Sequence, residues 1–280
     1  MSDEQTPPRS DEEPASSLRW RDWLEATLFA IVIAFVLRAF VAEAYRIPSA
    51  SMENTLLVGD YLLVNKFLYG AKIPFTDWRL PALKEVAQGD VIAFKFPQDE
   101  EMIFIKRCVA VAGQTIEIKN KIVFVDGVEQ PLPPEAKIGA EIEPAGKVDK
   151  AIFPLYMNFN RDNYGKIRVP KKGDTLALDE RSFHLCKFVL EREGRSASLM
   201  GGVAYVDGKP ATRYVVQQNY YFALGDNRDA SHDSRYWGFV PESNIIGSAL
   251  LIYWSWNPDA PTFLEKLRSI RWERIGRIIR

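Results

Sequence analysis

Residues 102–111 read MIFIKRCVAV. Ile and Val predominate, Phe joins them and no Gly or Pro interrupts, which is the composition of a pleated, half-buried strand. Alternation at a period of two places Phe104, Lys106 and Cys108 on one face of that strand. VIAFKF (91–96), TIEIKNKIVFVDG (115–127) and YYFALG (220–225) share this texture and are punctuated by Gly, Asp and Pro. KIVFVDG (121–127) and GVAYVDGK (202–209) both close on Asp-Gly, a pair suited to hairpin turns. Residues 131–200 are richer in Pro, Lys and Glu and read as a subdomain inserted between two halves of a core sheet, 45–130 and 201–260. The fold class is mainly β.

The chain before this body changes character twice. Residues 1–22 open with Pro7, Pro8 and Pro14 among Asp, Glu and Ser, a polar stretch without the apolar content to offset ordering entropy, and are expected to be a disordered tail. Residues 23–44 then read WLEATLFAIVIAFVLRAFVAEA, apolar without a break from Leu28 to Leu37. That is long enough to cross a bilayer as a helix, with Trp20, Trp23 and Tyr45 as interfacial anchors and Glu25 and Arg38 near its ends. A cleaved secretory signal lacks its small-residue cleavage site here, and a buried soluble helix is the plainer alternative. Arg9, Arg19 and Arg21 precede the span and Arg46 alone follows closely, so the N-terminus is expected to be cytoplasmic and the body extracytoplasmic.

Composition narrows the function. A net charge of −1 lacks the basic excess of a nucleic-acid binder. The two cysteines, Cys108 and Cys186, show no C-x-x-C spacing and are expected to be free and buried. His184 and His232 form no H-E-x-x-H pair, so no histidine metal site is expected.

Three segments hold chemistry in their conjunction: IPSASMENTLLVGDYLLV (47–64), IFIKRCVAVAG (103–113) and GDNRDASHDSRYWGFVP (225–241). Alone, each has a plain reading as polar loop, outward-facing lysine or turn cluster. Lys106, however, shares its face with two residues that favour burial, and burial pushes an amine towards neutrality. A neutral lysine can take a proton from a serine hydroxyl; one at its ordinary pKa of about 10.4 does so poorly near neutral pH. Set behind an N-terminal span, the three segments resemble the signature boxes of the type I signal peptidases. The resemblance runs from the span to about Trp256 and is dense only in the boxes.

It implies Ser51 as nucleophile and Lys106 as general base, with the Ser49 hydroxyl in an oxyanion hole beside the Ser51 N–H. It also implies that Ser231 hydrogen-bonds and orients the lysine, while Gly225, Asp226, Arg228, Asp233 and Arg235 brace the site. Exported preproteins with small residues before the cleavage point are the implied substrates, the plasma (inner) membrane the implied setting and lipid bilayer the implied partner, with no cofactor. The chain departs from the family at Ala50 (often glycine), Asn54 (usually proline) and Gln114 (commonly aspartate), none of which removes a catalytic atom.

Rival readings fare worse. A Ser-His-Asp triad on His232, with Asp226, Asp229 or Asp233 as orienter, suffers because adjacent residues on extended chain point apart. Self-cleaving Ser-Lys repressors share the dyad but have a DNA-binding domain where this chain has a span. A membrane-tethered, non-catalytic scaffold of the same fold is marked by loss of Ser51 or Lys106, and both are present. Residues 261–280 carry six basic against two acidic side chains over TFLEKLRSIRWERIGRIIR (262–280). At about 100° per residue their apolar positions share half a helix, though Arg268, Arg271 and Arg274 intrude. An interfacial helix is expected there, with a frayed tail as the alternative.

Overall fold

The computed structural model describes residues 15–76, 78–155 and 157–280, so residues 1–14 of the expected tail lie outside it. Helix α1 (Ala15–Val36) passes through one π-helical turn (Leu37–Val41) and straight into β1 (Ala42–Arg46). The helix thus starts before residue 23 and yields to strand before residue 44. The reason is pairing: Ala42 to Arg46 join β2 (Asp60–Asn65) in antiparallel register, Ala44 opposite Leu63. Trp20, Trp23, Leu28, Phe29 and Phe35 stand exposed along α1. Among the described residues it is the one helix long and apolar enough to cross a membrane.

The body follows as β3 (Val91–Phe96), β4 (Asp99–Ala110), β5 (Thr115–Lys119), β6 (Ile122–Val125), β7 (Val128–Glu129), β8 (Tyr164–Arg168) and β9 (Thr175–Ala177). Next come α2 (Phe183–Arg192), β10 (Ala197–Met200), β11 (Val203–Val206), β12 (Lys209–Pro210), β13 (Arg213–Val215) and β14 (Tyr220–Leu224). The chain closes with α3 (Ser234–Trp237), β15 (Val240–Pro241), β16 (Ile245–Ser255) and α4 (Phe263–Arg268). Seven strands form the main antiparallel sheet, in the order β1-β2-β16-β3-β4-β14-β15.

Alternation along β3 divides the core between the two faces of this sheet. Ile92 and Phe94 pack with Cys108 and Trp237, while Val91 and Ala93 pack with Met52, Leu56, Leu62 and Ile105. The chain leaves the sheet after β4 and returns only at β14, a wider excursion than the 131–200 expected. β5 to β8 form a sheet of their own in the order β7-β6-β5-β8. Their alternating pattern resembles core strand because Ile116, Ile118, Val123 and Val125 do bury, against Tyr164, Phe222 and Phe239. Both Asp-Gly pairs make hairpin turns with left-handed φ at each position, 52° and 82° at Asp126 and Gly127 and 50° and 75° at Asp207 and Gly208. Cys108 and Cys186 are free and buried.

The C-terminal segment is not the continuous helix expected over 262–280. A capping box at Thr262 and Glu265 starts α4, which ends at Arg268; a 3-10 turn follows at Trp272–Arg274, and Ile278 pairs with Leu251 of β16. The arginines that spoiled the amphipathic pattern explain this. Arg274 turns inward to a buried ion pair with Asp60, its Nη2 2.5 Å from Oδ2, and Arg271 donates to the Val58 carbonyl. The segment is a brace folded back on the body.

Candidate active site

The loop between β1 and β2 is closed at its neck. The Ile47 N–H donates to the Asp60 carbonyl at 2.9 Å, and the Gly59 N–H to the Ile47 carbonyl at 3.0 Å. Met52 and Leu56, both buried, pin the loop into the core, and one 3-10 turn over Ala50–Met52 presents Ser51. Ala50 needs no left-handed φ in that turn. Asn54 does adopt one, φ 74°, a conformation that asparagine tolerates and the ring of proline forbids. Gln114 accepts from the Val111 N–H at 2.9 Å, closing the turn after β4 as a carboxylate would.

Lys106 enters from the middle of β4, opposite Ile92 of β3. Its side chain is buried, and Nζ lies 2.5 Å from Ser51 Oγ and 5.5 Å from the centre of the Phe104 ring. Burial pushes the ammonium down to about 8; the opposing attraction of Asp233 and Asp226 is smaller. A hydroxyl and an amine that is substantially neutral near pH 8 are therefore in contact. Ser49 Oγ is 3.4 Å from Ser51 Oγ on the exposed side of the pair.

Asp226 and Asp233 each hold one arginine. Asp226 takes a two-pronged contact from Arg107, Nε to Oδ1 at 2.8 Å and Nη2 to Oδ2 at 2.6 Å, and a third bond from Thr55 Oγ1 at 2.6 Å. Asp233 caps α3 and accepts from Arg235 Nε at 2.8 Å and the Gly225 N–H at 3.1 Å. Burial, the largest single influence, raises the Asp233 carboxyl, but the Arg235 charge and hydrogen bonds together with the Gly225 N–H hold it low. Gly225 leaves no room for a side chain: a Cβ there would strike the Ser231 side chain and the Ser51 carbonyl. Arg235 Nη2 also donates to the Arg228 carbonyl at 2.6 Å.

Ser231 departs from expectation. It is buried beside Gly225, but its hydroxyl makes no hydrogen bond to Lys106 or to any other described residue. It sits close enough to Asp233 to lend a small stabilising dipole without hydrogen-bond geometry. His232 is exposed and packs its ring on Tyr236 and Phe96, while the neighbouring Asp233 carboxylate is committed to Arg235 and Gly225. A triad on His232 finds no orienter there.

Sequence reasoning missed Asn227, Glu53 and Lys137. The Asn227 N–H donates to the Ser51 carbonyl at 3.1 Å, and its Nδ2 donates to the Ala50 carbonyl at 3.1 Å and to Glu53 Oε2 at 3.0 Å. Lys137 Nζ reaches the same Glu53 oxygen at 2.8 Å, and its backbone brackets Asn227 through Asp226 and Arg228. The one available signal was the position of Asn227 inside the Asp-rich box. A cavity of about 430 Å³ opens on Ser51 and Lys106, walled by Tyr45, Ile47, Pro48, Met52, Ile103 and Phe104.

A family model described as signal peptidase, peptidase S26, matches residues 20–254. The chain belongs to that family. It is 34% identical over 238 residues to a signal peptidase I of Aquifex aeolicus, covering 81% of this chain and 82% of that one. A signal peptidase I of Buchnera aphidicola is 33% identical over 90% of this chain and 80% of its own, and one of Pseudomonas aeruginosa 32% identical over 82% and 70%. The protein is a serine endopeptidase that removes signal peptides, and its substrates are exported preproteins.

Proposed function

We propose that Ser51 is the nucleophile of this peptidase and Lys106 its general base, in a body tethered to the plasma (inner) membrane by α1 with its N-terminus cytoplasmic. The contact of 2.5 Å between Nζ and Oγ carries this reading. Neutral Lys106 takes the Ser51 proton as Oγ attacks the scissile carbonyl, and returns it to the leaving amine. The Ser51 N–H and the Ser49 hydroxyl receive the developing oxyanion. Asp226, Asp233, Arg228, Arg235 and Gly225 hold the loops around the pair, and Ser231 fills the space beside Gly225. The apolar walls of the cavity and the edge strand β1 suit an extended chain with small side chains before the scissile bond. Lipid is the second partner, supported by α1 and by the aromatic group of Tyr253, Trp254, Trp256 and Trp272. The net charge of −1 supports no role for nucleic acid.

Cleavage of a preprotein by the full chain in detergent tests the dyad. Ser51→Ala and Lys106→Ala should each abolish processing, as should Lys106→Arg, because a guanidinium stays protonated. His232→Ala should retain most activity. For the wild type, kcat/KM should rise with pH through about 8 as Lys106 loses its proton. Activity surviving in Lys106→Ala, or lost only in the His232 variant, would refute the assignment.

A further inference from the structure

A second cavity, of about 880 Å³, opens between β4 and the β5–β8 sheet, and neither Ser51 nor Lys106 lines it. Its volume is within the range of small-molecule sites. Four basic residues line it; Arg280 is exposed, whereas Arg107, Lys121 and Arg228 are each less than 8% exposed. Two of them are committed. Arg107 clamps Asp226, and Lys121 contacts Asp229 at 2.5 Å and the Gly139 carbonyl at 3.1 Å. Arg228 differs. Its backbone is fully used, the N–H donating to Lys137 and the carbonyl accepting from Arg235. Among the described residues, however, its guanidinium has no hydrogen bond or ion pair, and Nε is sealed from water without an acceptor.

The charges nearest Arg228 are two closed pairs, Asp226 with Arg107 and Asp233 with Arg235, so one buried positive charge is left over. Burial, and after it Arg235, pushes the guanidinium down to about 10. A buried ion without a partner costs several kcal/mol, which an incoming anion would offset. The planar guanidinium suits carboxylate or phosphate oxygens. The mouth is of opposite character: Ile122, Leu132 and Ile142 are nearly half exposed around it, beside Pro131 and Pro134. Glu129 also stands exposed at this mouth and Glu135 is tied to Arg277 at 2.9 Å, which disfavours highly charged ligands.

We propose that this cavity binds an amphiphilic anion, with Arg228 receiving a carboxylate or phosphate oxygen and the Leu132, Ile142 and proline collar covering a short apolar body. The site is separate from the dyad, so the proposal stands or falls independently of the catalytic assignment.

Fluorine NMR titration of the full chain in detergent tests it, with (trifluoromethyl)benzoate and (trifluoromethyl)phenyl phosphate as anionic probes. (Trifluoromethyl)benzyl alcohol and inorganic phosphate are the controls. At least one anionic probe should bind saturably, and the alcohol and inorganic phosphate each at least about tenfold more weakly. The tighter of the two anionic probes identifies the head group. Arg228→Met should weaken that probe by about tenfold or more, with Arg228→Lys between it and wild type. Because Arg228 also joins neighbouring loops, Ile142→Asp on the exposed rim is the second variant; it should keep the wild-type melting temperature and still weaken binding about fivefold. Four outcomes would overturn the proposal: no saturable anionic probe, an alcohol that binds equally, inorganic phosphate matching the aryl phosphate, or affinity unchanged in both Arg228→Met and Ile142→Asp.

Discussion

The fall of Lys106 from its ordinary 10.5 to about 8 is stability withheld from the fold. At about 1.4 kcal/mol per pH unit it amounts to about 3 kcal/mol. Above pH 10.5 the amine is neutral folded or unfolded and nothing is lost. As pH falls towards 8 the unfolded chain takes up a proton that the folded one resists, and below 8 the loss is constant. Lys106→Met should therefore be inactive yet more stable at pH 7 by up to about 3 kcal/mol in denaturant melts, a gain that fades towards pH 10.5. Equal stability at pH 7 would mean that the lysine head is not desolvated. Asn227 holds the backbone on either side of Ser51, the proposed nucleophile. Asn227→Ala should lower kcat about tenfold to a hundredfold with little change in KM, and Asn227→Asp should be worse, because it cannot donate and faces Glu53. An unaltered kcat would make the residue packing only. The pairing of Ser51 with Lys106 could be proposed from sequence because serine and lysine carry their chemistry in their own atoms. The role of Asn227 was not, since it depends on two carbonyls supplied by a loop far away in sequence. Nor was the orientation of Ser231, which a one-dimensional pattern does not encode.

Among the elements, the strands were legible from alternation, and the two Asp-Gly hairpins from turn chemistry that needs only adjacent residues. Strand order was hidden, because β16 sits between β2 and β3 through long-range pairing that no local pattern contains. For the same reason β5 and β6 read as part of the main sheet: an alternating strand looks alike whichever core it covers. The C-terminal segment shows the opposite failure, a plausible helical period overridden by one partner. Asp60, buried at the start of β2, accepts from Arg274, Ser255 and the Leu57 N–H, so it joins the brace to the far end of the Ser51 loop. Arg274→Ala should cost about 3 kcal/mol, because it leaves the buried Asp60 carboxylate with only Arg271, 3.8 Å away, as its cation. Thermal melts of the full chain check this, and a change below about 1 kcal/mol would place the brace outside the cooperative fold. Deleting 262–280 removes the same partner, so that deletion tests folding before it tests lipid binding.

At the scale of the molecule, α1 and the body meet without a linker. The Lys66 N–H donates to the Val41 carbonyl at 2.9 Å, Lys66 Nζ reaches the Arg38 carbonyl at 3.2 Å, and the next residue is already in the sheet. Ser51 lies ten residue steps after Val41, at most about 33 Å of extended chain at about 3.3 Å per residue. With α1 in the bilayer, the scissile bond is met at one height above the lipid. On that placement the junction is expected to act as a ruler, setting the cut by the distance from where the substrate's own apolar segment leaves the membrane, whatever the length of polar chain before that segment. Inserting six to eight Gly and Ser residues between Val41 and Ala42 frees the arm, since such a linker is a flexible coil. The enlarged enzyme should still cleave short peptides at the wild-type rate but should spread its cuts along preproteins that offer several small-residue sites, as mass spectrometry of the mature N-termini would read. Unchanged single cuts would place the ruler in the cleft instead of the tether.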